Sequence, residues 1–141
     1  MKKLISTALA VAIFAVSNIA LAYPVHSDWA EESIITCDKA GMFCDMTHIT
    51  DFTKPIPRGD VAELVVRAYQ NVTGLMIDYH SEHFTDVDSE YPQLAYALGL
   101  MNGTGDDTFS PDDYTTREAM AKILLTLYAR VNDEEPVLST N

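Results

Sequence analysis

The sequence predicts an all-α fold, with two tandem helix-loop-helix repeats forming one small domain after a signal peptide. Three observations carry that prediction. Apolar residues recur at helical spacing in two long segments, 58–72 and 117–131. Glycines stand where helices should stop, at Gly41, Gly74 and Gly99. The two halves also echo each other: FTKPIPRGDVAELVVRAY from Phe52 aligns with FSPDDYTTREAMAKILLTLY from Phe109.

Each element follows from its residues. Lys2 and Lys3 precede an uncharged run over 4–22 that closes in Ala20-Leu21-Ala22, so residues 1–22 read as a cleavable signal peptide. A retained transmembrane anchor is the rival reading of that run. The first repeat, 23–74, opens with a helix over 29–40 that sets Ile34 and Ile35 on one face. A loop over 42–56 leads to a helix over 58–72, with Val61, Leu64, Val65, Ala68 and Val72 in register. The second repeat, 75–131, begins irregularly, apart from the short apolar run Leu75-Met76-Ile77. It continues with a short helix over 91–98, a Gly/Asp/Pro loop over 102–114, and a helix over 117–131. That last helix aligns Met120, Ile123, Leu124, Leu127, Tyr128 and Val131. Residues 132–141 read as an acidic, flexible tail. Neither repeat has enough core to stand alone, so the two should pack through Val61, Leu64, Val65, Ile123, Leu124 and Leu127.

Composition narrows the function classes. With 9 Lys+Arg against 21 Asp+Glu and a formal net charge of −12, the 141-residue chain lacks the basic footprint of a nucleic-acid binder. Signal cleavage would remove two lysines and no acid, leaving the chain more acidic still and without a membrane span. No Ser/His/Asp or Cys/His constellation stands out, so the chain reads as neither an enzyme nor a cofactor protein. Cys37 and Cys44 fit a disulfide in an oxidising compartment, or two small free thiols. Their spacing does not suit zinc. His80 and His83 with Glu82 and Asp86 make a weak metal sketch, and the 102–114 loop lacks EF-hand calcium spacing.

Several stretches resemble the S-layer homology repeat: DWAEESIITCDKAGM from Asp28, FTDV from Phe84, and GLMNGTGDDTFSPDDYTTREAMAKIL from Gly99. That resemblance implies a mostly helical module at the cell wall or envelope surface. It implies non-covalent binding of an acidic secondary cell-wall polysaccharide and, because the family usually carries three repeats, a second copy or a partner chain supplying the third. A structural or protein-interaction module without glycan binding is the alternative. The family's Thr-Arg-Ala-Glu hallmark reads Pro57-Arg58-Gly59-Asp60 in the first repeat and Thr116-Arg117-Glu118-Ala119 in the second. The resemblance assigns glycan contact to Arg58 and Arg117, with Trp29, Asp86 and Tyr91 around them.

The placement of the arginines is unusual on physical grounds. Thr115 and Glu118 fit a capping box, and Glu118 suits the positive end of the helix dipole. A cation there suits neither. A guanidinium beside free helix amides can, however, grip a carboxylate or phosphate in two places. The competing expectation is that each arginine pairs with nearby aspartates, such as Asp106, Asp107, Asp112 or Asp113, and braces its loop.

Overall fold

The computed structural model describes residues 24–77 and 82–133. The signal segment, His80 and all but the first two residues of the tail lie outside them. The described residues form four α-helices and no sheet. A 3-10 turn at Asp28–Ala30 leads into α1 (Glu31–Lys39). Then come α2 (Arg58–Thr73), α3 (Tyr91–Ala97) and α4 (Arg117–Val131).

The local sequence explains the boundaries. Gly41, Gly74 and Gly99 each adopt a positive φ, 73°, 69° and 67°, at or just after a helix end. Pro92 in the first turn of α3 starts that helix with a preset φ. The expected first helix divides, because its opening residues tighten into the 3-10 turn. The cap of α4 also differs from expectation. Thr116, not Thr115, is the N-cap, and its hydroxyl accepts from the Ala119 amide at 3.1 Å. Thr115 turns inward instead, and its hydroxyl oxygen is buried without a hydrogen-bond partner.

The core lies where α2 meets α3 and α4. Val61, Ala62, Val65 and Val66 pack with Leu94, Ala95, Leu100, Met101 and Ile123, and Phe84 and Phe109 fill the space between. Val61, Val65 and Ile123 are buried as expected, and Leu64 and Leu127 are half-buried. Leu124 is not: it is 53% exposed, beside Leu125 and Tyr128. Among the described residues α4 packs against one helix, α2, and its apolar stripe is wider than that contact, so one edge faces solvent. The α1 segment lies outside this cluster: Ile34 and Met46 are buried there, and polar ties join the segment to α2. Asn71 donates to the Ala40 carbonyl at 3.0 Å, and Arg67 pairs with Asp45 at 3.2 Å.

The two repeats lock together at their loops. Pro57 and Tyr114 form an isolated antiparallel bridge. The Arg58 and Gly59 amides donate to the carbonyls of Asp113 and Pro111 at 2.8 and 2.9 Å. Two of the orphan amides at the start of α2 are thus satisfied by the other repeat, which makes a side-chain cap unnecessary. A Cβ on Gly59 would sit 3.3 Å from the Pro111 Cβ, so the close approach favours glycine at that position.

Candidate functional site

The two hallmark arginines begin equivalent helices and meet different fates. Arg58 is half-buried. Its Nε donates to the Phe109 carbonyl at 3.0 Å and its Nη2 to the Asn102 carbonyl at 2.8 Å. Its guanidinium lies 4.7 Å from the centroid of the Phe109 ring, a cation–π distance. It does brace the loop, but through backbone carbonyls rather than the aspartates the sequence offered. Arg117 is exposed, and its side chain makes no hydrogen bond or ion pair with any described residue.

Asp86 completes the brace from the other side. Its two carboxylate oxygens accept from the Phe109 and Ser110 amides, each at 2.8 Å. The Phe109 amide first, then that of Ser110, hold its carboxyl below the usual carboxylate range. These bonds also fix Ser110 at φ 57°, a left-handed conformation that a non-glycine residue adopts at some cost. Asp86 and Arg58 therefore converge on the backbone of Phe109, whose side chain is wholly buried.

The aromatic candidates stand apart from this brace. Tyr91 is half-buried, with the Arg67 guanidinium 5.2 Å from its ring centroid. Burial pushes its phenol up, which the nearby Arg67 charge opposes. Trp29 is 86% exposed on the 3-10 turn, among Asp28, Glu31 and Glu32. The five candidates thus form one internal pair, Arg58 with Asp86, and three separate positions.

Cys37, half-buried in α1, and Cys44, exposed in the following loop, are both free thiols. The His83 ring stacks on Tyr96 at 4.0 Å. Among the described residues, no group of three or more His, Cys, Asp or Glu is placed to hold a metal ion. Within the same residues, no helix is long and apolar enough to cross a membrane.

Residues 83–121 match the family model of the S-layer homology domain, a stretch that contains Asp86, the Phe109 loop, Tyr91 and Arg117. Residues 83–121 carry the S-layer homology domain. An endoglucanase from Bacillus sp. (strain KSM-635) is 30% identical over 124 residues, which cover 82% of this chain. The chain spans 13% of that enzyme's length. The S-layer homology domain is a non-catalytic anchoring module, and it implies a place at the cell surface or outside the cell.

A further feature lay in a segment the sequence marked only as a loop. Residues 48–57 and the first turns of α2 enclose a groove of about 500 Å³. His48 Nε2 and Asp60 Oδ1 meet there at 2.9 Å, and Lys54 Nζ stands 3.8 Å from Asp51 Oδ2. Its aromatic residues, Phe43 and Phe52, lie in one irregular loop and follow no periodic pattern, so sequence spacing carried no sign of it.

Proposed function

We propose that this chain is a cell-envelope anchor that binds an acidic cell-wall polysaccharide non-covalently, with Arg117 as its principal anion contact. One observation carries the choice of residue. Arg117 is a cation whose side chain has no partner among the described residues, at the start of a 15-residue helix, within the S-layer homology match. The helix dipole and the unpaired guanidinium both favour an anion there. Arg58, in contrast, already has three internal contacts and serves the fold. A chain of net charge −12 repels an acidic polymer at long range. Binding must then come from short-range contacts, and moderate salt helps at first by screening over about 10 Å at 0.1 M. The test is co-sedimentation with native cell walls, before and after extraction of their acidic polymer. Retention should vanish with the polymer, and retention on stripped walls would contradict the reading.

A second reading has its own support. Leu124, Leu125 and Tyr128 leave an apolar edge of α4 uncovered. Such an edge suits a second copy or another chain completing a helical assembly without any glycan. Concentration-dependent sedimentation together with no wall retention would favour it.

A further inference from the structure

We propose that the groove between the 48–57 loop and the start of α2 is a subsite for an uncharged pyranose ring of the wall polysaccharide. This subsite presupposes the polysaccharide-binding role proposed above and adds a second contact with a different ligand chemistry.

The groove's volume, about 500 Å³, falls in the range of small-molecule sites and has room for a sugar ring. Its apolar wall includes Phe43, Phe52 and Leu64, with the two rings 5.0 Å apart and tilted by 49°. The C–H face of a pyranose is apolar and packs on such a surface, while its hydroxyls need polar partners at the edge. Two carboxylates supply them. Asp51 Oδ1 accepts from the Thr53 amide at 2.9 Å and the Thr53 hydroxyl at 2.6 Å. Asp60 Oδ1 is bound to His48. In both residues one oxygen is fixed by a neighbour, and Oδ2 accepts no hydrogen bond from any described residue. Lys54 Nζ pairs loosely with Asp51 at 3.8 Å, too long for a direct hydrogen bond, so its protons stay available to a ligand. The Thr53 hydroxyl, then its amide, hold the Asp51 carboxyl below the usual range, so it is an ionised acceptor at neutral pH.

This arrangement selects against an anionic sugar. Two carboxylates face one ammonium, and Arg58 is not among the groove's walls. A neutral ring can donate hydroxyl protons to both Oδ2 atoms and accept from Lys54. An acidic ring would bring a third carboxylate toward two others. The acidic unit of the polymer belongs at Arg117 and the neutral unit here.

The experiment is an amide NMR titration of the full chain with methyl β-D-glucopyranoside, N-acetylglucosamine and, as the anionic counterpart, glucuronate. At least one neutral sugar should shift amides within residues 49–53 and 60–64, and glucuronate should bind there at least about tenfold more weakly. Asp60→Asn keeps the shape but turns an acceptor into a donor, and should weaken neutral-sugar binding by about tenfold. Asp51→Asn makes the same test on the other rim if Asp60→Asn fails to fold. Shifts confined to other residues, equal binding of glucuronate, or unchanged affinity in a folded variant would each overturn the subsite. Native-wall retention separates the two ideas. If Arg117→Ala releases the protein from walls and Asp60→Asn does not, the groove is overturned while wall binding stands.

Discussion

Replacing Arg58 with alanine should unfold the protein more readily without a specific loss of wall affinity. The substitution removes hydrogen bonds of 3.0 and 2.8 Å to two carbonyls and a cation–π contact at 4.7 Å. Hydrogen bonds to a charged donor contribute about 1.5–3 kcal/mol each, and a half-buried arginine belongs at the low end. Water can replace the guanidinium at the exposed Asn102 carbonyl more easily than at the part-buried Phe109 carbonyl. The cation–π contact adds about 0.5–1 kcal/mol. Because the three contacts share one side chain they do not simply add, and about 3 kcal/mol is a fair expectation. For a domain of this size that corresponds to a fall of roughly 12 °C in Tm. Arg58→Lys should recover less than half of the loss, since an ammonium cannot present the planar fork that reaches both carbonyls. Urea denaturation and thermal melting measure the effect. A folded Arg58→Ala protein with unchanged Tm and abolished wall retention would refute the bracing role and make Arg58 a ligand contact.

Other outcomes follow from the same contacts. Asp86 has a depressed folded-state pKa, so its stabilising contribution is present above its unfolded value of about 3.9 and is lost as pH falls through the folded one. Asp86→Asn should therefore lower stability at neutral pH and flatten the acid limb of a urea-midpoint titration. An unaltered acid limb would remove Asp86 from the brace. Gly103→Ala would place a Cβ 2.6 Å from both Phe84 Cε1 and the Thr108 carbonyl oxygen. It should cost about 1–3 kcal/mol in chemical denaturation, and a neutral effect would contradict the close packing of that loop. Oxidation should pair Cys37 with Cys44, which thiol titration reads directly. A loop so short should gain no more than about 2–3 kcal/mol, and two persisting thiols would exclude the bond.

The helices were legible because they depend on local signals. The last helix was read as 117–131 and is Arg117–Val131, and the second was read as 58–72 and is Arg58–Thr73. Periodic apolar residues, with a glycine closing the second, sufficed. What local signals could not reveal was the difference between the two arginines. Both follow a proline-bearing loop and open an apolar helix, so their neighbours in sequence predict one role for both. The difference is tertiary. The loop through Phe109 and Pro111 crosses the start of α2 and offers its carbonyls to Arg58. The loop through Ile56 does reach the chain just before α4, where its carbonyl accepts the Thr115 amide at 3.1 Å, but among the described residues no carbonyl is offered to the Arg117 side chain. Resemblance alone points to Asp86, because its partners lie more than twenty residues away and no local spacing reveals them. Leu124 shares its helical stripe with Ile123 and Leu127, and only the number of neighbours around α4 decides that it stays exposed.

If Arg117 binds and Arg58 braces, the two substitutions must part company. Arg117→Ala and Arg58→Ala should be compared on native cell walls, with retention expressed per folded molecule and Tm taken on the same samples. Arg117→Ala should keep the parent Tm within about 1 °C, as expected of an exposed side chain without partners among the described residues, and lose at least about tenfold in retention. Arg58→Ala should melt early yet bind normally while folded. Undiminished retention by folded Arg117→Ala would contradict the account.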